Sequence, residues 1–319
     1  MKLAHPIDDI DLKVHVLKTL LYYDIFNYPL KSEEVFQFLG TNSITEDDVR
    51  TTLDALTNDL IVYKFDNLYG LHPNDSYIER RVKGNEQAEK YLLIAQKQAK
   101  LISRFPFVRA VLASGSLSKG YMDEKSDIDF FIITAPHRLW IARTSLVLYK
   151  RLFLGGSHKH FCVNYFVDED HLEIEEKNLF TATELATVIP LYGSQEYNSL
   201  IKSNGWLIDF FPNYIARSTE NVSVSTTKGF KRLLEKLITA CFALNIESFF
   251  KDLTLRRWKK LYESEYSKVD FDIAFKSKTY ASKNHPRHFQ RKIMDTYAEK
   301  VKHFDFSSVL KNKRKTSLR

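Results

Sequence analysis

Between Val108 and Thr134 the chain reads VRAVLASGSLSKGYMDEKSDIDFFIIT, and this stretch limits the fold more than any other. Val108 to Ala113 is an apolar run of strand length, broken at Ser114-Gly115-Ser116, where glycine lets backbone N–H groups approach an anion. After a polar spacer, Asp127-Ile128-Asp129 opens a second run, Phe130 to Ile133, rich in β-branched and aromatic residues and ended by Ala135-Pro136. Side chains alternate along a strand, so Asp127 and Asp129 are expected on one face about 7 Å apart, with Ile128 turned into the core. Two carboxylates so spaced suit a hard divalent cation, which takes one or two of them and fills its remaining positions with water and substrate phosphates. The stretch therefore predicts a cradle for a metal and a triphosphate.

A Gly-Ser turn after one strand and an Asp-x-Asp before the next resembles the signature of the DNA polymerase beta-like nucleotidyltransferase superfamily, over roughly residues 108 to 167. The resemblance implies an α/β (α+β) nucleotidyltransferase core with a small mixed sheet. It implies that Gly115 and Ser116 contact the triphosphate, with Ser118 and Lys119 as helpers, and that Asp127 and Asp129 hold Mg²⁺ or Mn²⁺. The implied reaction moves a nucleotidyl group from an NTP, ATP foremost, to an acceptor hydroxyl with release of pyrophosphate. The acceptor class stays open: protein, small molecule, sugar or RNA. The family's third carboxylate belongs on the next strand, expected at His160 to Val167 after a helix over 136–154, and the matching position is Asn164. Asparagine carries no charge and takes no proton, which removes the usual base. Asp168 has the same parity but lies about 13 Å further along an extended strand. Either the acceptor is already a good nucleophile, or the base comes from elsewhere, or the chain is a weak or inactive nucleotide-binding regulatory protein.

Upstream, Val14, Leu17, Leu20, Leu21 and Ile25 recur at helical spacing, and Thr45 with Asp48 forms a capping box for a helix with an apolar stripe at Val49, Leu53 and Leu56. Two short β-type runs then flank Asp66-Asn67, a hairpin signal. Residues 1–75 are therefore expected to form a winged-helix-like domain. Its third helix carries Glu46, Asp47, Asp48, Asp54 and Asp59 against Arg50 alone. That sign opposes phosphate contact and points to protein contact rather than DNA.

Residues 76–215 are read as the catalytic core led by a long connector helix that Gly84 weakens, with Arg109 and the helix's lysines lining the approach to the site. Leu172-Glu173-Ile174 is expected as an edge strand, Thr181 with Glu184 as a capping box, and Tyr192-Gly193-Ser194 as a turn. Residues 216–319 are expected to be mostly helical and basic, with the stripe from Phe230 to Cys241 in the core. Formal net charge is +7, but residues 276–319 alone carry +10, so contact with a polyanion is a property of that end. Cys162 and Cys241 read as reduced core thiols. No export signal or membrane-length apolar run is seen, so a cytoplasmic protein without membrane contact is expected. His158-Lys159-His160 reads as a loop, and His285-Pro286-Arg287-His288 is a candidate contact for nucleotide or acceptor.

Overall fold

The computed structural model describes residues 9–157, 159–241, 245–284 and 289–310. At the N-terminal end, α1 (Asp9–Asp24), α2 (Ser32–Gln37) and α3 (Glu46–Asn58) are followed by the hairpin strands β1 (Tyr63–Phe65) and β2 (Leu68–Gly70). Thr45 and Asp48 cap α3 reciprocally, at 2.8 and 3.2 Å. The hairpin register Phe65↔Leu68 leaves Asp66-Asn67 as the loop, and Asp66 takes the positive φ of 54° that such a tight turn needs. Val16, Leu17, Leu20, Val35, Val49, Leu53 and Leu56 form the buried centre of this unit. Phe180, Ile293 and Val309 join the same cluster from distant parts of the chain.

The connector α4 (Asp75–Ile102) runs unbroken through Gly84. Its Arg81, 3% exposed, reaches Glu34 at 2.8 Å, bonds to the Pro29 carbonyl and lies 4.4 Å from the Tyr28 ring, tying the N-terminal unit down. Gly84 marks a close approach rather than a break. A Cβ there would meet the Tyr121 ring at 2.3 Å, and the Gly84 carbonyl accepts from Met122 N–H at 3.0 Å.

Next come β3 (Val108–Ser114), the single turn α5 (Gly115–Ser118), β4 (Asp129–Thr134), α6 (Leu139–Phe153), β5 (Cys162–Asp168), α7 (Leu179–Thr187), β6 (Ile189–Tyr192), α8 (Ser194–Ser203) and α9 (Leu207–Phe210). They are followed by α10 (Gly229–Cys241), α11 (Asn245–Tyr262), α12 (Lys268–Ala274), β7 (Ala281–Lys283), α13 (Phe289–His303) and α14 (Ser307–Leu310). Five strands form one mixed sheet in the order β6-β3-β4-β5-β7, in which β4 and β5 are parallel and the other pairs antiparallel. Strand alternation divides the core: Val111, Ala113, Phe130 and Ile132 face α4, α6 and α11, while Ala110, Leu112, Phe131 and Ile133 face α7 and α8. Among the described residues no helix is long and apolar enough to cross a membrane.

Several local expectations change. Leu172-Glu173-Ile174 is not a strand, because the Asn204 side chain takes its backbone groups, bonding Leu172 O and Ile174 N at 2.8 Å each. The edge beyond β5 is filled instead by β7, from the C-terminal part of the chain. The α7 cap is Asn178, whose Oδ1 accepts from Thr181 N at 3.0 Å, so Thr181 lies inside the helix. Pro190 stands in β6, an edge strand where a missing N–H is tolerated.

The stripe expected in the core of α10 is only partly inside: Phe230, Leu233 and Leu237 are 77, 55 and 51% exposed, whereas Leu234 and Ile238 are half-buried and Ile238 packs against the core. Beside Ile238, the most deeply buried side chains of the helix are the charged Lys231 and Glu235. Glu235 accepts from both Nη atoms of Arg109 (2.9 and 3.0 Å) and from Phe107 N–H (2.7 Å), and Lys231 Nζ donates to Ser103 O and Val108 O at 2.8 and 2.6 Å. Paired, desolvated charges anchor the helix more strongly than the apolar stripe draws it round.

Glycine inside a helix ordinarily costs about 1 kcal/mol against alanine. At Gly84 the sign reverses: Gly84→Ala is expected to destabilise the protein by about 1–3 kcal/mol, through the clash with Tyr121. Urea unfolding measures this, and a more stable variant would contradict the close packing.

Candidate active site

Ser114, the last residue of β3, is the register partner of Asp129, the first of β4. The glycine turn and the second acid are therefore placed side by side by strand pairing alone. Gly115 has φ +66°, and a Cβ on it would sit 2.5 Å from Asp129 Oδ2, so no other residue fits without displacing the carboxylate. Asp127 lies just ahead of β4, and Ile128 between the acids is fully buried. The segment is pinned by Ile128 N–H to Lys159 O (2.9 Å) and Cys162 N–H to Ile128 O (3.1 Å).

Asn164 belongs to the same place. The β4–β5 register steps from Phe130↔Val163 to Phe131↔Tyr165, so Asn164 is an extra residue in a bulge, a device that re-aims a side chain. Its Nδ2 donates to Asp129 Oδ1 at 2.8 Å, and its own Oδ1 is buried without a partner. Burial pushes Asp129 up to about 6, with Glu184 and Asp127 adding repulsion, while hydrogen bonding from Cys162 and the charge of Lys119 act the other way. Burial, and then the Asp129 charge, push the Cys162 thiol up, in keeping with a free, reduced cysteine.

Gly115, Ser116, Lys119, Asp127, Asp129 and Asn164 all line one cleft of about 1340 Å³. Ser118 does not. It is fully buried, its hydroxyl spent on Gly115 O (2.8 Å) and Thr187 Oγ1 (3.1 Å), so its expected nucleotide contact is corrected to support of the turn. Lys119 bonds Gly115 O at 3.1 Å and pairs with Glu184 at 2.6 Å. Arg109 is committed to Glu235 and lies away from the cleft, as do the α4 lysines; Arg80 is the basic residue of α4 that reaches it. Asp168 is buried under His137 N–H and His171 Nδ1, away from the cleft. His160 packs edge-on to Tyr91 at 5.6 Å, whereas His158 and the group His285 to His288 lie outside the described residues.

The cleft also contains residues that spacing could not assign. Tyr23, Phe26, Tyr28 and Tyr121 form an aromatic wall on the N-terminal side. On the other side α6 and α11 contribute Arg143, Lys150, Arg151 and Arg257, and no acid. Arg143 is 6% exposed and stacks between Trp140 (5.6 Å) and Trp258 (4.7 Å). Burial, and then Arg257, pull it down to about 10. Glu184 had a sequence signal, but it was absorbed into the wrong cap; Arg143 in the helix 139–153 had none.

The donor set fits a divalent cation. Asp127 and Asp129 stand together with no cation bonded to either among the described residues, and the orphaned Asn164 Oδ1 is a spare neutral oxygen beside them. Among the described residues there is no group of three or more His, Cys, Asp or Glu that could hold a metal, so a cation placed here would have two carboxylates and would need water or substrate oxygens to complete its shell.

Residues 95–204 match the family described as Nucleotidyltransferase domain. That span contains the glycine turn, both acids and Asn164, and it belongs to the nucleotidyltransferase superfamily whose signature these residues resemble. Comparison with curated proteins and with solved structures gave no match.

The raised Asp129 carboxyl makes the site sensitive to pH. Its folded value near 6 exceeds the usual 3.8, so the folded state holds the proton more tightly and stability falls as pH rises from about 4 to 6. The cost above pH 6 is about 3 kcal/mol. In chelator, Asp129→Asn is expected to melt higher than wild type at pH 7.5 and level with it at pH 4. A wild-type advantage at pH 7.5 would mean that the charge is already compensated.

Proposed function

We propose that the protein transfers a nucleotidyl group from an NTP, ATP foremost, to an acceptor hydroxyl and releases pyrophosphate. The observation that supports this most is the close approach of Gly115 to Asp129, which sets the glycine turn directly against the acidic pair. Gly115 and Ser116 would hold the β- and γ-phosphates, and the Lys119–Glu184 pair would fix the turn's far side. Asp127 and Asp129 would hold Mg²⁺, or Mn²⁺, which supplies the positive charge that the phosphates and the attacking oxygen need. Tyr28 and Tyr121 line the cleft and would be aromatic neighbours of the base. The acceptor oxygen bonds to the α-phosphorus as the bond to the bridging oxygen breaks. Asn164 cannot take the acceptor's proton, which leaves Glu184 or water to do so.

The N-terminal unit is proposed as winged-helix-like and as a protein-contact module. The single arginine of α3 is paired with Asp47 at 2.6 Å, and the helix surface is otherwise acidic.

A second reading, a nucleotide-binding regulator with little or no turnover, is favoured by one contact: Asn164 spends its amide on Asp129 instead of adding charge. Labelled NTP with Mg²⁺ separates the two. Under the first reading pyrophosphate and a labelled product form, and Asp127→Ala or Asp129→Ala lowers transfer on the order of 10³-fold while the fold survives. Transfer unchanged in both variants would end the enzymatic reading. Binding without turnover in wild type, with activity gained in Asn164→Asp, would establish the regulator.

A further inference from the structure

The cleft is electrically divided in a way the nucleotide alone does not account for. Around the start of β4 and on α7 it is acidic, with Asp123, Asp127, Asp129 and Glu184. On the wall built by α6 and α11 it carries Arg143, Lys150, Arg151 and Arg257 and no carboxylate. Among the described residues neither Arg143 nor Arg257 makes an ion pair with an acid, although Arg143 is almost wholly out of solvent. A guanidinium held out of solvent beside a second positive charge is unfavourable unless an anion joins them, and Arg257, itself exposed, is near enough to act on Arg143. Trp140 and Trp258 fix the Arg143 plane by stacking, which leaves its N–H donors for a ligand.

Position says which ligand. The order β3-β4-β5 sets the glycine turn on one side of Asp129 and Asn164 on the other, and α6 packs over β5, with α11 against α6. The basic wall therefore flanks the acids on the side away from the Gly115-Ser116 turn, where the attacking molecule must enter if the turn grips the triphosphate. A cleft of about 1340 Å³ exceeds the roughly 300–1,000 Å³ of a single small-ligand site and has room for a second one beside the nucleotide.

Resting on the transferase reading for its place in the reaction, we propose that Arg143 and Arg257 form the acceptor's seat and that the acceptor is a small phosphorylated molecule. Its phosphate binds these two guanidinium groups while its hydroxyl is presented at Asp129. Paired forks with Lys150 and Arg151 nearby match a phosphomonoester dianion better than a single carboxylate.

Inorganic phosphate is the probe, titrated in Mg²⁺ buffer and followed by tryptophan fluorescence, since Trp140 and Trp258 border the seat. The titration is repeated with saturating α,β-methylene ATP, which cannot transfer. Phosphate is expected to bind equally well, within threefold, with and without the analogue. Arg143→Gln is expected to weaken phosphate at least tenfold and to leave analogue affinity within twofold. Arg257→Gln, an exposed position that carries no folding risk, is expected to weaken phosphate at least threefold. Mutual displacement of phosphate and analogue would assign the wall to the triphosphate and overturn the proposal, as would undiminished phosphate binding in both variants. With labelled NTP, sugar phosphates should be labelled and the same sugars without phosphate should not; preferential labelling of an RNA end overturns it. Should Asp127→Ala and Asp129→Ala retain transfer, the transferase reading falls, whereas the phosphate titration still reports on Arg143 by itself.

Discussion

The pairing of Ser114 with Asp129 is the constraint from which the site follows. Once β3 and β4 are zipped in that register, the residue after β3 must turn beside a carboxylate, and only a residue without a side chain can do so at 2.5 Å. The register is held in turn by two cores of opposite parity, since a one-residue slip would bring Phe130 and Ile132 to the face now filled by Phe131 and Ile133. Hydrophobic burial on both sides of the sheet thus fixes a polar contact at its end, and a desolvated acid is kept where solvent would otherwise relax it.

Much of this was legible because it is local. The glycine turn, the acids flanking Ile128 and the strand bearing Asn164 lie within sixty residues, and the alternation of Phe130 to Ile133 marks the strand that joins them. The aim of Asn164 was less legible, because it depends on a bulge between Val163 and Tyr165 that alternation does not reveal. Ser118 misled for the opposite reason: it is two residues from Ser116, but on one helical turn those positions do not share a face, and its hydroxyl meets Thr187 instead.

The basic wall could not be read from sequence at all. Arg143 is separated from Arg257 and Trp258 by more than a hundred residues, and they meet only because α11 lies along α6. The same non-locality explains α10. Its apolar periodicity argued for a buried stripe, but the outcome was decided by partners on α4 and β3, through Arg109, Ser103 and Val108, which the helix's own sequence does not mention. Amphipathic pattern reports which face is apolar; it does not say whether a stronger polar attachment will claim the other face.

The strand β7 carries a consequence for how the molecule comes into being. Residues 281–283 close the open edge of β5, and Asn284 N–H then bonds the carbonyl of Asn164 at 2.9 Å, so the sheet that bears the acids is finished by chain more than a hundred residues downstream of β5. A fragment cut to 95–204 would leave β5 as a bare margin with unpaired backbone groups, ready to zip onto a neighbouring molecule. During translation the nascent sheet must wait for more than a hundred residues to emerge before that margin is sealed, and until then its backbone groups stay open to wrong partners.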